Sequence, residues 1–139
     1  MGVVIPHRAI KAVSSSRDSK SAILDFLGDL SEVEILLNRV LVATHIRYEK
    51  TAGGIFRPDD NVGEDVWQGK CGLILKCGPD AFKDDEEYTW GASKLDIGDW
   101  GVYKVGDGWS VTIKDYPCRI VRDSSFMMRV QDPNLIDTL

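Results

Sequence analysis

Three cysteines, Cys71, Cys77 and Cys118, and two histidines, His7 and His45, are the side chains best suited to nucleophilic or metal chemistry. Their spacing favours neither. A zinc site wants paired Cys/His spacings, and here no CxxC pair exists and both histidines lie far from any such pair. Cys71 or Cys118 could be matched with His45 as nucleophile and base, yet no local signature supports the match. The cysteines read instead as small buried hydrophobes in a reducing compartment. The acidic run Asp59-Asp60-Asn61-Val62-Gly63-Glu64-Asp65 resembles a calcium loop only at first sight. Such a loop needs an oxygen ligand at its fifth position and Gly at its sixth, where Gly63 and Glu64 stand. Asp84 and Asp85 would suit acid–base work only if buried and held apart, and they sit in a charge run that reads as a solvated hairpin tip. No G-x-S-x-G elbow and no phosphate-cradling glycine loop is present. The sequence therefore predicts no catalysis, no cofactor and no metal.

One loop carries a different kind of chemistry. Lys50-Thr51-Ala52-Gly53-Gly54-Ile55-Phe56-Arg57-Pro58 places two large apolar residues directly after two glycines in polar surroundings. The glycines free the backbone to take positive φ. Ile55 and Phe56 either tuck back onto their own domain or form a hook that orders in an apolar groove on a protein partner. Exposed apolar residues in a loop are the ground for the hook, and the motif alone leaves the two readings level.

The elements that must carry this loop follow from periodicity. Residues 1–38 read as an arm, with a polar linker over Ser14–Ser21. Ile23, Phe26, Leu27 and Leu30 then share one face of a short helix, for which Ser19 or Ser21 is a candidate cap. Gly28 weakens this helix by about 1 kcal/mol relative to Ala, so it is expected to need a partner surface and to fold only when docked. From Arg39 the period becomes two: Val40, Val42, Ile46 and Tyr48 alternate with Leu41, Ala43, His45 and Arg47, a strand partly covered on both faces. Further strands are expected at Cys71–Lys76, Trp100–Val105 and Trp109–Ile113, and in the apolar stretches Cys118–Val121 and Phe126–Val130. Gly106-Asp107-Gly108 reads as a tight hairpin turn. Several short strands separated by turn signals indicate a small all-β barrel or sandwich over residues 39–139.

Net charge narrows the partners. Lys and Arg total 17 against 22 Asp and Glu, a formal charge of −5, with no basic run to track a phosphate backbone. Nucleic acid is excluded as the main partner. The apolar start Met1–Ile5 is far shorter than the roughly 18 residues of a spanning helix and lacks a signal-peptide core. Gly2 is not followed by the Ser or Thr of a myristoylation site. A soluble protein of cytoplasmic origin, without membrane contact, is expected.

Taken in order, these segments resemble the GroES-like co-chaperonin family over about residues 38–132. Arg39-Val40-Leu41-Val42 is similar to its first barrel strand, and Thr51-Ala52-Gly53-Gly54-Ile55-Phe56 to its mobile loop. Gln68–Gly78 resembles the strand that follows, and Leu95-Asp96-Ile97-Gly98-Asp99-Trp100-Gly101-Val102-Tyr103 the family's V-G-D-x-V strand entry. Gly69–Phe82 and the ending Cys118–Val121 with Val130–Pro133 look most like the phage-encoded members. Arg57 stands where the family's hook carries a third apolar residue, Trp67 where its loop is small and polar, and residues 1–38 have no counterpart. The resemblance implies a GroES-like β-barrel with a roof hairpin over about Pro79–Leu95, in a homo-oligomeric ring. It also makes Gly53, Gly54, Ile55, Phe56 and Trp67 the candidate partner-binding residues. The expected function is non-enzymatic: a decoration or cement protein of a phage head, gripping the major capsid protein through arm and hook. The alternative is a phage co-chaperonin that caps a host chaperonin ring. The expected location is accordingly the virion head, after synthesis in the host cytoplasm, or the host cytoplasm alone.

Overall fold

A computed structural model of the protein describes residues 19–46 and 71–136. Among them one α-helix, α1 (Ser19–Leu27), precedes six strands: β1 (Arg39–Thr44), β2 (Cys71–Cys77), β3 (Trp100–Tyr103), β4 (Trp109–Ile113), β5 (Tyr116–Arg122) and β6 (Phe126–Val130). The strands form one antiparallel sheet in the order β4-β5-β1-β2-β3-β6. The protein is thus mostly β, as expected, but the sheet is open: β4 and β6 each have a single partner and do not pair with each other.

The both-face reading of β1 holds residue by residue. Leu41 and Ala43 join one core with Leu73, Trp100, Val102 and Tyr116, while Val40 and Val42 join a second with Ile74, Tyr103 and Val121. Period-two alternation therefore divides a central strand between two cores, one on each face. Each face has its own cover. Ile23 and Leu27 of α1 are fully buried in the first core, with Phe26 and Leu30 packed against it. Ala81, Phe82 and Leu95, from the β2–β3 connection, close the second.

The helix finds the partner surface it needs within its own chain, which corrects the expectation that it folds only when docked elsewhere. Two lysines reinforce the contact. Lys114 Nζ donates to the Leu27 and Asp29 carbonyls at 2.5 and 2.8 Å, and Lys76 Nζ to that of Val33 at 2.5 Å. The first of these ties a cation to the helix C-terminus, where orphan carbonyls and the macrodipole favour one. Gly28, at φ +61°, ends the helix in the left-handed conformation that a terminating glycine permits, its N–H returning to the Leu24 carbonyl at 2.9 Å. Ser21 lies inside α1 rather than at its cap.

Two turns differ from expectation. Gly106-Asp107-Gly108 does not close a hairpin, since β3 and β4 are separated by β2, β1 and β5. Neither glycine uses a positive φ, and residues Val105–Asp107 form a single 3₁₀ turn. The two-residue hairpin instead joins β4 to β5 through Lys114 and Asp115, at φ +49° and +66°, the primed geometry that suits strand twist. The roof hairpin is also absent: among the described residues, 79–95 hold no strand pair, only turns and a 3₁₀ turn at Gly91–Ser93. Asp84 and Asp85 shape this segment, accepting backbone N–H groups of Trp90, Glu87 and Tyr88 at 2.8 Å each.

The short β3–β4 link bends the sheet. Three 3₁₀ residues and three extended steps span about 16 Å, less than the roughly 19 Å of four strand spacings in a flat sheet. The link crosses the Val121 face, where Gly108 lies against Arg119 and Val121. That face is therefore concave, and the sheet remains open.

Candidate functional site

The hook residues Gly53, Gly54, Ile55 and Phe56, together with Trp67, lie outside the described residues. What the structure describes is the base from which their connection, residues 47–70, departs and returns.

Both ends of that connection are fixed. β1 and β2 run side by side to their ends, with Thr44 opposite Gly72, and the His45 N–H continues the ladder to the Cys71 carbonyl at 2.9 Å. Gly72 permits this closeness, since a Cβ there would lie 2.8 Å from that of Val42. Tyr116, fully buried on β5, donates its hydroxyl to the Thr44 carbonyl at 2.8 Å. His45 is 4% exposed, with its ring edge-on to Trp100 at 5.3 Å and Nε2 3.2 Å from Asn134 Oδ1. Asn134 is held in turn by Asp132, whose carboxylate accepts its backbone and side-chain N–H groups at 3.0 and 3.2 Å. Ile46, the last described residue before the connection, is buried in the first core. The base is thus a clamp made of four strands, β1, β2, β3 and β5, and the C-terminal turn.

The candidate nucleophiles are in surroundings that oppose ionisation. Burial pushes the thiols of Cys71 and Cys118 up to about 12, so both stay protonated at neutral pH. Cys77, half-buried, is raised as well, chiefly by burial and then by Asp96, against a smaller opposing pull from Lys94. All three are free cysteines. Tyr103 is likewise raised to about 12 by burial. Asp29 is lowered by hydrogen bonds from the Ser31 backbone and hydroxyl. No cluster of three or more His, Cys, Asp or Glu able to hold a metal occurs among the described residues. No described helix is long and apolar enough to cross a membrane.

Sequence reasoning missed one polar staple. Asp123, read as a turn residue, is 5% exposed and joins three segments. Its Oδ2 accepts the Phe82 N–H at 3.0 Å and its Oδ1 the Asn38 amide at 3.4 Å, while its N–H donates to the Asn38 carbonyl at 3.0 Å. Its partners lie 41 and 85 residues away in sequence, so no local pattern announces it. The chain matches no protein-family model, and no curated protein matches it.

Proposed function

We propose that this chain is a non-enzymatic, GroES-like protein that stabilises a phage head by gripping capsid subunits through its β1–β2 connection. The observation that supports the reading is the clamp beneath that connection. A long polar segment carrying Gly53-Gly54-Ile55-Phe56 springs from two adjacent strand ends locked into the core by His45, Ile46 and Tyr116. A rigid base limits the entropy lost when a hook orders on its partner. With α1 spent on the protein's own core, the grip falls to the hook, to Trp67 of the same connection, and to the arm residues ahead of α1.

The Gly-Gly-apolar pattern equally serves the second reading, a co-chaperonin that docks on a chaperonin ring. One variant separates the two. Burying Ile55 and Phe56 contributes about 1.5–3 kcal/mol each, so replacing both by Ser should weaken association roughly a hundredfold to ten-thousandfold while the domain stays folded. On the head reading, mass spectrometry of purified virions finds the wild-type chain in many copies, and particles carrying the double variant lose it or break at lower temperature. On the co-chaperonin reading, virions lack the chain, and the wild type but not the variant binds a chaperonin ring in the presence of nucleotide. Undiminished attachment of the variant in both assays would remove the hook from either account.

A further inference from the structure

We infer that the cleft between the β2–β3 connection and the end of β5 is a binding site for a neutral saccharide. Its volume is 470 Å³, within the roughly 300–1,000 Å³ usual for small-molecule sites.

One wall is an aromatic platform built with care for its geometry. Tyr88 stacks on Trp90 with centroids 5.3 Å apart at 28°, and Trp90 meets Phe82 edge-on at 5.1 Å. The backbones of Tyr88 and Trp90 are fixed by Asp85 and Asp84, and the Trp90 indole N–H by the Lys83 carbonyl at 3.0 Å. Beneath them Phe82 holds a left-handed φ of +58°, a strained conformation for an aromatic residue, secured by Asp123. Tyr88 nevertheless remains 44% exposed. Tyr88 and Trp90 both line the cleft. A flat apolar surface with a polar surround suits the C–H face of a sugar ring.

The charges select the ligand class. Lys83 and Arg122 line the cleft together with Asp80, Asp85, Glu87 and Asp123. Four carboxylates against two basic groups leave an excess of negative charge that opposes an anion, and Lys83 is already paired with Asp80 at 3.8 Å. A polyol meets no such penalty, because every hydroxyl can donate to a carboxylate and accept from Arg122, Lys83 or the Asn38 amide. Asp85 and Asp123 are partly engaged within the protein and Asp80 pairs with Lys83, which leaves Glu87 as the most open acceptor. This site is independent of which assembly the hook grips.

The test uses the full chain and two-dimensional amide and indole NMR, titrated separately with the methyl glycosides of glucose, galactose, mannose and N-acetylglucosamine. At least one should shift the resonances of Tyr88, Trp90 and Arg122 with millimolar affinity. Tyr88→Ala should weaken that binding at least tenfold, whereas Glu86→Ala, on the same loop but outside the cleft, should leave it unchanged. Absence of shifts with all four glycosides overturns the proposal. So does binding that Tyr88→Ala leaves intact, or a response to spermidine or inorganic phosphate but to no glycoside, which would mark a simple ion site.

Discussion

Replacing Ile23 by Ala tests whether α1 belongs to the domain or waits for a partner. Ile23 is completely buried, and its core neighbours include Leu41, Leu73 and Tyr116. Truncation of such a residue costs about 2–5 kcal/mol, the spread reflecting how far the surroundings collapse. Here the lysine bonds to the Leu27, Asp29 and Val33 carbonyls restrain the helix from sinking inward, which favours the upper half of that range. Against a typical total of about 5–15 kcal/mol, such a loss is large. With a urea dependence of about 1–3 kcal/mol per molar, a loss of about 3.5–5 kcal/mol should lower the unfolding midpoint by about 1–5 M. The four tryptophans provide the fluorescence signal, and Trp100 lies in the same core. Leu36→Ala is the control, since Leu36 is 60% exposed and should change stability by less than about 0.5 kcal/mol. Amide exchange of Ile23–Leu27 should be slowed together with that of β1. If Ile23→Ala proves as mild as Leu36→Ala, and the helix amides exchange freely, α1 is not part of the core and the reasoning fails.

Two further outcomes follow from buried groups. The thiols of Cys71 and Cys118 have an ordinary value of 9.0 and are pushed to about 12 by burial, so the folded state holds their protons more tightly than the unfolded chain. Their contribution to stability is complete below about 9 and is lost as pH rises from there toward about 12. Denaturation should accordingly become easier over that interval, less so in Cys71→Ala than in the wild type, and a flat profile would contradict the assignment. A thiol reagent at neutral pH should modify Cys77 first and the other two only on unfolding. Gly78→Ala should destabilise by about 1–3 kcal/mol, because a Cβ there collides with the Leu37 carbonyl oxygen and comes within 2.8 Å of that of Leu36. An unchanged melting temperature would show that the Leu36–Leu37 corner yields freely.

What could be read from the sequence divides along a physical line. The apolar face of α1 and the two-sided burial of β1 were legible because each depends on period alone, and Ile23, Leu27, Val40 and Leu41 take the expected places. The true hairpin was not, since Lys114 and Asp115 adopt positive φ without the Asn-Gly signal that usually marks such a turn. Strand packing on either side overrode their preference, while the glycines at 106 and 108 served a crossing link. The saccharide cleft was invisible for a stronger reason. Asn38, Tyr88 and Arg122 become neighbours only because β5 lies beside β1 while the β2–β3 connection folds over both. Strand order is a non-local property, and composition carries no trace of it. The proposed hook, outside the described residues, stands at the opposite extreme, nominated from residue types within one short segment. Its base, however, depends on His45 meeting Asn134 across 89 residues. A site written in one segment can therefore be nominated from sequence, but whether it rests on something rigid is decided by contacts between distant ones.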